Sequence, residues 1–167
     1  LGVLMQAGVG AVGDVSFRAG VLDDLRAGNE KGRIYAQGTA RVGEHYNGKN
    51  VPVVKKQGMS AYDPRVIEVS GISMMMTAQG ADHTAGNAPA FECDGKTTEE
   101  LAEVSFNTQV SCAAADSLGI CIFGRSATDP NPEIVTNTIN NIHGTDLTPD
   151  FMKKIGREVL EMEDAFN

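Results

Sequence analysis

Asp116-Ser117-Leu118-Gly119-Ile120-Cys121 stands where a long helical pattern stops and the apolar pair Ile122-Phe123 begins. The helix before it opens at Thr97-Thr98-Glu99-Glu100, which has capping-box spacing: the Thr97 hydroxyl accepts from the backbone three residues on, and Glu100 reaches back. Leu101, Val104, Val110 and Ala114 carry it toward Asp116. Two readings of the turn follow. In the structural one, Gly119 is the left-handed residue after the last turn and Cys121 packs as a small hydrophobe. In the chemical one, the glycine lets the backbone approach a ligand, Asp116 accepts hydrogen bonds from a flat heterocycle and Cys121 holds a metal. An iron-sulfur cluster normally takes four thiolates, so the chemical reading requires ligands from outside the 167 residues.

Beyond the turn, the loop Ser126-Ala127-Thr128-Asp129-Pro130-Asn131-Pro132 leads into a proline-started helix with Ile134, Val135, Ile139 and Ile142, closed by Gly144 with His143 at its end. Thr148 then caps and Pro149 starts a last helix, whose stripe is Met152, Ile155, Val159, Met162 and Phe166. Glu158, Glu161, Glu163 and Asp164 form its solvated face. On the other side of the turn, Cys112 lies in an Ala-rich part of the long helix and reads as core, while Cys93 lies in a polar loop without a partner.

Earlier still, Asp63 in Ala61-Tyr62-Asp63-Pro64-Arg65 can cap a helix that starts at Pro64 and runs through Val66, Ile67, Val69, Ile72 and Met74-Met75-Met76. Three consecutive methionines cannot share one face, so this helix is expected to be buried nearly all round. Gln79 to Asn87 breaks it with small residues around Asp82-His83. Small neighbours leave room for a ligand, and an adjacent carboxylate can influence an imidazole's protonation; the plain alternative is an ordinary hydrogen-bonded histidine.

Leu1 to Gly8 reads as the last turns of a helix. The glycine-rich Gly8-Val9-Gly10-Ala11-Val12-Gly13 is not a phosphate cradle, because it lacks the preceding strand and the Lys-Ser/Thr or dinucleotide spacing. Instead Asp14 caps a helix with Phe17, Val21, Leu22 and Leu25 on one face. A third helix is expected after Gly32, with Ile34, Tyr35, Gly38, Val42 and Tyr46 at helical spacing; it stops at Asn47-Gly48, with His45 as an exposed end residue. Asn50 to Gly58 is extended and reads as a crossing between lobes. The whole is mainly α, six to seven helices with little sheet, divided into residues 1–52 and 53–167.

A net charge of -8 argues against nucleic acid, whose phosphates would be repelled. Apolar runs are broken well short of the roughly 18 residues a membrane span needs. Three cysteines with no export signal suggest reduced thiols in a cytoplasm. Without an initiator Met, the chain reads as a piece of a longer protein.

Taken in order, Ala61-Tyr62-Asp63-Pro64-Arg65, Gly80-Ala81-Asp82-His83, Asp116 to Cys121, and Asp146-Leu147-Thr148-Pro149 with Ala165-Phe166-Asn167 resemble the C-terminal helical part of the tungsten-dependent aldehyde ferredoxin oxidoreductases. The resemblance covers nearly the full chain. It implies a tungsten (or molybdenum) bis-pterin centre beside a [4Fe-4S] cluster, oxidation of aldehydes to carboxylates, and ferredoxin as electron acceptor. It further implies an N-terminal pterin-binding domain of the same chain, and it leaves a homo-oligomer open. By resemblance Cys121 is the fourth cluster thiolate, Asp116 hydrogen-bonds a pterin, Ile122 lines it through its backbone, and His83 stands near the metal as the catalytic group.

The departures are also legible. The histidine turn in the family often carries an arginine four positions before the histidine and a basic residue two after it; Gln79 and Ala85 stand there. The earlier Asp-x-x-Gly-Leu-Asp motif has no counterpart among residues 1–58, and the Cys-x-x-Cys-x-x-x-Cys trio, the pterin saddle and an upstream glutamate are missing, so the isolated chain is expected to be inactive. Two alternatives accompany this reading. One is a related branch that reduces aromatic-ring acyl-CoA thioesters, and the other is a helical interaction module without cofactor.

Overall fold

The computed structural model describes residues 2–11 and 13–167. The chain is mainly α-helical and forms two compact units, Leu1–Met59 and Ser60–Asn167. The described residues hold nine α-helices, one short 3-10 turn and a two-stranded sheet, and none of the helices is long and apolar enough to cross a membrane.

The first unit contains α1 (Gly2–Gln6), α2 (Val15–Ala27), α3 (Glu30–Tyr35), α4 (Thr39–His45), and the strands β1 (Val53–Val54) and β2 (Gln57–Gly58). The expected opening helix is present as α1; its residue Leu1, like Val12 of the glycine loop, lies outside the described residues. Asp14 caps α2 by accepting from Phe17 N at 3.0 Å, and Asn29 caps α3 by accepting from Gly32 N at 2.9 Å. Such caps are worth about 1 kcal/mol each.

The single helix expected after Gly32 is two. Gly38 takes a left-handed φ of 86° and opens α4, because its missing side chain makes a reversal cheaper there than continuing the helix. Val3, Leu4 and Val42 form the core, with Phe17, Val21, Ile34, Tyr35, Tyr46 and Val51 packed on it. Leu22, assigned to the same face as Phe17, is instead exposed. The extended stretch is a tight antiparallel hairpin pairing Val53 with Gly58 and Val54 with Gln57, turned by Lys55 and Lys56 at positive φ.

The second unit is built on α6 (Thr98–Ser117), with α5 (Glu68–Met76) and α9 (Asp150–Phe166) packed along it. The 3-10 turn Ile122–Gly124, α7 (Arg125–Thr128) and α8 (Pro132–His143) lie between α6 and α9 in the chain. The capping box at Thr97 and Glu100 is complete in both directions. Helix α5 begins at Glu68, later than expected, because Asp63 spends its side chain on a tight turn: its carboxylate accepts from Arg65 N at 3.0 Å and pairs with the Arg65 guanidinium at 2.6 Å.

This pair gives a measurable signature. The Arg65 side chain, then its backbone N–H, holds the Asp63 carboxyl at about 2 instead of its ordinary 3.8. A folded value below the unfolded one means that the pair's contribution is complete above about pH 4 and is lost as pH falls through about 2. A carbon-detected NMR titration should place Asp63 near 2 and return it to the ordinary range in Arg65→Ala.

Only one side of α5 is covered. Met74 is 2% exposed, whereas Met75 and Met76 are 64% and 69% exposed, so the expected burial all round does not hold: α6 covers one flank and nothing in the unit covers the other. Cys93 is not a lone residue of a polar loop. It is buried with Val69 and Leu101 under Ile67, Ile72, Phe91 and Val104, because its loop folds back over the start of α6. Between α5 and α6, Ser73 Oγ donates to Gly86 O at 2.9 Å and meets Ser105 Oγ at 2.8 Å, and Gln109 Nε2 donates to Ser105 Oγ at 3.0 Å. Satisfied this way, three buried polar side chains join two helices and the loop at Gly86.

Helices α6 and α9 approach at Gly156, where a Cβ would overlap the carbonyl oxygen of Val110. Gly144 closes α8 at φ 66°. The connection to α9 is held by Asn140, whose Nδ2 donates to Leu147 O at 2.9 Å while its Oδ1 accepts from Leu147 N at 2.8 Å. Helix α9 starts one residue later than expected; Pro149 takes the capping position, and Thr148 contributes its carbonyl to Phe151 N and not its hydroxyl.

Candidate functional site

The C-terminal turn of α6 is the structural reading of Asp116 to Cys121 in its first half. Gly119 sits at φ 66°, and the Ile120 N–H closes onto Ala115 O at 2.9 Å. The second half departs from that reading: Cys121 is exposed, not packed. Its carbonyl receives Gly124 N at 2.8 Å and starts the 3-10 turn, and this sharp change of direction sends Cys121, Ile122 and Phe123 outward. Ile122 is 46% and Phe123 90% exposed. Asp116, on the last turn of α6, is exposed as well.

His83 lies in the loop between α5 and α6. Thr77 Oγ1 donates to Gly80 O at 2.6 Å and Asp82 N to Gly80 O at 2.8 Å, which folds the loop tightly before the histidine. The Asp82 carboxylate does not face the imidazole; it accepts from Thr84 N at 2.8 Å and Thr84 Oγ1 at 2.9 Å. The exposed His83 ring is instead held by Tyr62, stacked at 5.4 Å between centroids, and by Asn87 Nδ2, 3.3 Å from Nδ1. That contact engages Nδ1 and leaves Nε2 as the ring's other polar atom.

Two residues that sequence reasoning did not select stand between these elements. Cys112, one turn before Asp116, is 5% exposed. Burial pushes its thiol up from the ordinary value, the Asp116 carboxylate adds to that, and Arg125 and the Gly86 N–H oppose it. Arg125 donates through Nη1 to Cys112 Sγ at 3.1 Å and through Nη2 to Ser111 Oγ at 2.6 Å, and pairs with Asp129 at 3.0 Å. The loop that carries His83 and the segment that follows Cys121 therefore both dock on the C-terminal half of α6. Arg125 was the available signal, a lone cation in an otherwise uncharged stretch from Ser117 to Thr128.

Among the described residues no group of three or more His, Cys, Asp or Glu could hold a metal ion. The three cysteines are free; Cys93 and Cys112 are buried and Cys121 alone is exposed. What the arrangement offers is a single outward thiol, a carboxylate on the preceding helical turn, and an imidazole held by Tyr62 and Asn87.

Two curated relatives, the tungsten-containing aldehyde ferredoxin oxidoreductases of Pyrococcus horikoshii and Pyrococcus abyssi, are 29% and 27% identical to the chain over 185 aligned residues. Those alignments take in 99% of this chain and 30% of each relative, so the chain spans less than a third of their length. No solved structure matches the chain significantly. Residues 5–167 match the family described as "Aldehyde ferredoxin oxidoreductase, domains 2 & 3", and the chain belongs to that family.

Proposed function

We propose that the chain is the helical part of a tungsten (or molybdenum) bis-pterin, [4Fe-4S] enzyme that oxidises aldehydes to carboxylic acids and passes the electrons to ferredoxin. The observation that carries the reading is the placement of the thiols: in a chain matching this family almost end to end, Cys121 alone is exposed. The residues fit the two groups in part. Cys121 can give one thiolate to a cluster whose remaining ligands come from elsewhere in the intact protein, and buried Cys93 and Cys112 cannot. Asp116 can accept hydrogen bonds from a pterin, and Ile122 can line it through its backbone.

When bound, the metal centre and cluster supply the two-electron chemistry and the route by which electrons leave. The chain's own residues supply the rest. The His83 imidazole can hydrogen-bond a carbonyl oxygen, which draws electron density from the carbonyl carbon, and the ring can exchange a proton with the product. Tyr62 and Asn87 fix the ring, so little reorganisation accompanies that contact.

The test is an anaerobic preparation of the intact protein. It should contain tungsten or molybdenum and iron, and reduce ferredoxin only when an aldehyde is added. Reduction of an aromatic acyl-CoA by the same preparation would transfer the reading to the ring-reducing branch, and metal-free protein would leave a helical interaction module. The isolated 167-residue chain, which offers one exposed thiol, is expected to show no aldehyde-dependent dye reduction.

A further inference from the structure

The stretch of α6 from Gln109 to Cys112 receives two elements that are far apart in the chain. The first is the histidine loop, docked at Gly86. Its carbonyl accepts from Ser73 Oγ at 2.9 Å, and a side chain at Gly86 would overlap Gln109 Cγ, so Cα lies directly on the helix. The second is the segment after Cys121, docked at Arg125, whose guanidinium reaches Cys112 Sγ and Ser111 Oγ. The arginine is preset for this. Asp129, one turn on at the end of α7, holds it at 3.0 Å, and the Arg125 side chain is only 18% exposed. The two elements thus meet α6 within one helical turn, the loop at Gln109 and the cation four residues beyond Cys121 at Ser111 and Cys112.

We infer that Arg125, seated on Cys112, is a positioning residue that holds the Cys121 segment at one fixed separation from the histidine loop along α6, keeping a proton-handling imidazole in register with the thiolate that would ligate the cluster. This rests on the roles given above to His83 and Cys121. The tie itself does not: it is a property of the fold and can be measured without any cofactor. A buried thiol suits the task because it accepts at longer reach than an oxygen. Arg125 suits it because its planar fork makes three directed contacts at once, which a lysine cannot.

Cys121 is the one exposed thiol, so it takes a nitroxide label selectively, and a second label can be placed through Thr84→Cys. The pulsed-EPR distance between the two labels should be a single narrow population in this chain. That population should be lost in Arg125→Gln and in Cys112→Ala, and recovered in Cys112→Ser, whose hydroxyl still accepts. Cys93→Ala, equally buried but outside the tie, should leave it narrow, which separates loss of position from general loosening. An unchanged narrow distance in both Arg125→Gln and Cys112→Ala overturns the inference.

In the intact, metal-loaded protein, Arg125→Gln should lower kcat for aldehyde with KM and iron content held. Unaltered kcat in that variant overturns the link to turnover. If the labels respond as expected while the unsubstituted intact protein shows no aldehyde-dependent reduction, the tie stands and the reading of the reaction falls.

Discussion

Gly156→Val is expected to lower the melting temperature of the second unit by more than any other single substitution on α9. A side chain at this position would overlap the carbonyl oxygen of Val110, a backbone atom of α6 that cannot rotate away. The two helices must separate or α9 must slide, and either response loosens the seam that α6 and α9 share. Overpacking of this kind costs about 1–3 kcal/mol, and more when the obstacle is backbone. Valine adds a β-branched penalty of some tenths of a kcal/mol in a helix, so about 3 kcal/mol is expected. For a unit of this size that is a loss on the order of 10–20 °C.

Gly156→Ala sets two effects against each other. The helix gains about 1 kcal/mol of propensity, and the same overlap removes it and more. Gly20→Ala is the control, because Gly20 lies in α2 with nothing near the position of a new Cβ. That change should be neutral or stabilising by up to about 1 kcal/mol. Calorimetry of the three variants decides the matter. A Gly156→Val protein that melts with the parent would mean that α9 does not lie against Val110.

The features legible in the sequence are those set by chemistry within one helical turn. Asp14 capping Phe17, the reciprocal Thr97 and Glu100 box, and the left-handed Gly119 and Gly144 are each satisfied by neighbours a few residues away. Where the expectation failed, the deciding contact was distant. Apolar periodicity carried one helix across Gly38 because it counts side chains and does not register the backbone reversal. Composition alone placed Met75 and Met76 inside, but α6 covers only one flank of α5. Cys93 looked isolated because Val69 and Leu101, its neighbours in the core, lie on two different helices.

The candidate site follows the same division. Cys121 and Asp116 could be picked out from one hexapeptide, although only the fold shows that the thiol faces outward while the other two are enclosed. For His83 the neighbouring carboxylate was the visible partner, and it is occupied by Thr84; the groups that hold the ring come from Tyr62 and Asn87. Arg125 stood out as a lone cation, but its contact with Cys112 was not legible, because positions 13 apart meet only after the turn at Gly119 and the 3-10 turn that follows it.

Cys121→Ser in the intact protein is expected to abolish a normal cluster while leaving the helical fold as it was. Serine keeps the shape of the side chain and loses the soft, easily ionised sulfur that iron requires. Because Cys121 is exposed, the substitution should change stability by no more than about 0.5 kcal/mol. Cys93→Ser should behave in the opposite way. A hydroxyl placed beside Val69 and Leu101, with the Phe91 carbonyl as its one nearby acceptor, costs about 1 kcal/mol of desolvation, which lowers the melting temperature, yet iron bound per folded molecule should not change. Iron analysis and low-temperature EPR, read beside a thermal melt of each variant, therefore separate a ligand from a core residue by opposite patterns and not by degree. Full iron and an unaltered EPR signal in Cys121→Ser would remove the thiolate from the cluster and, with it, the main support for reading this chain as part of a redox enzyme.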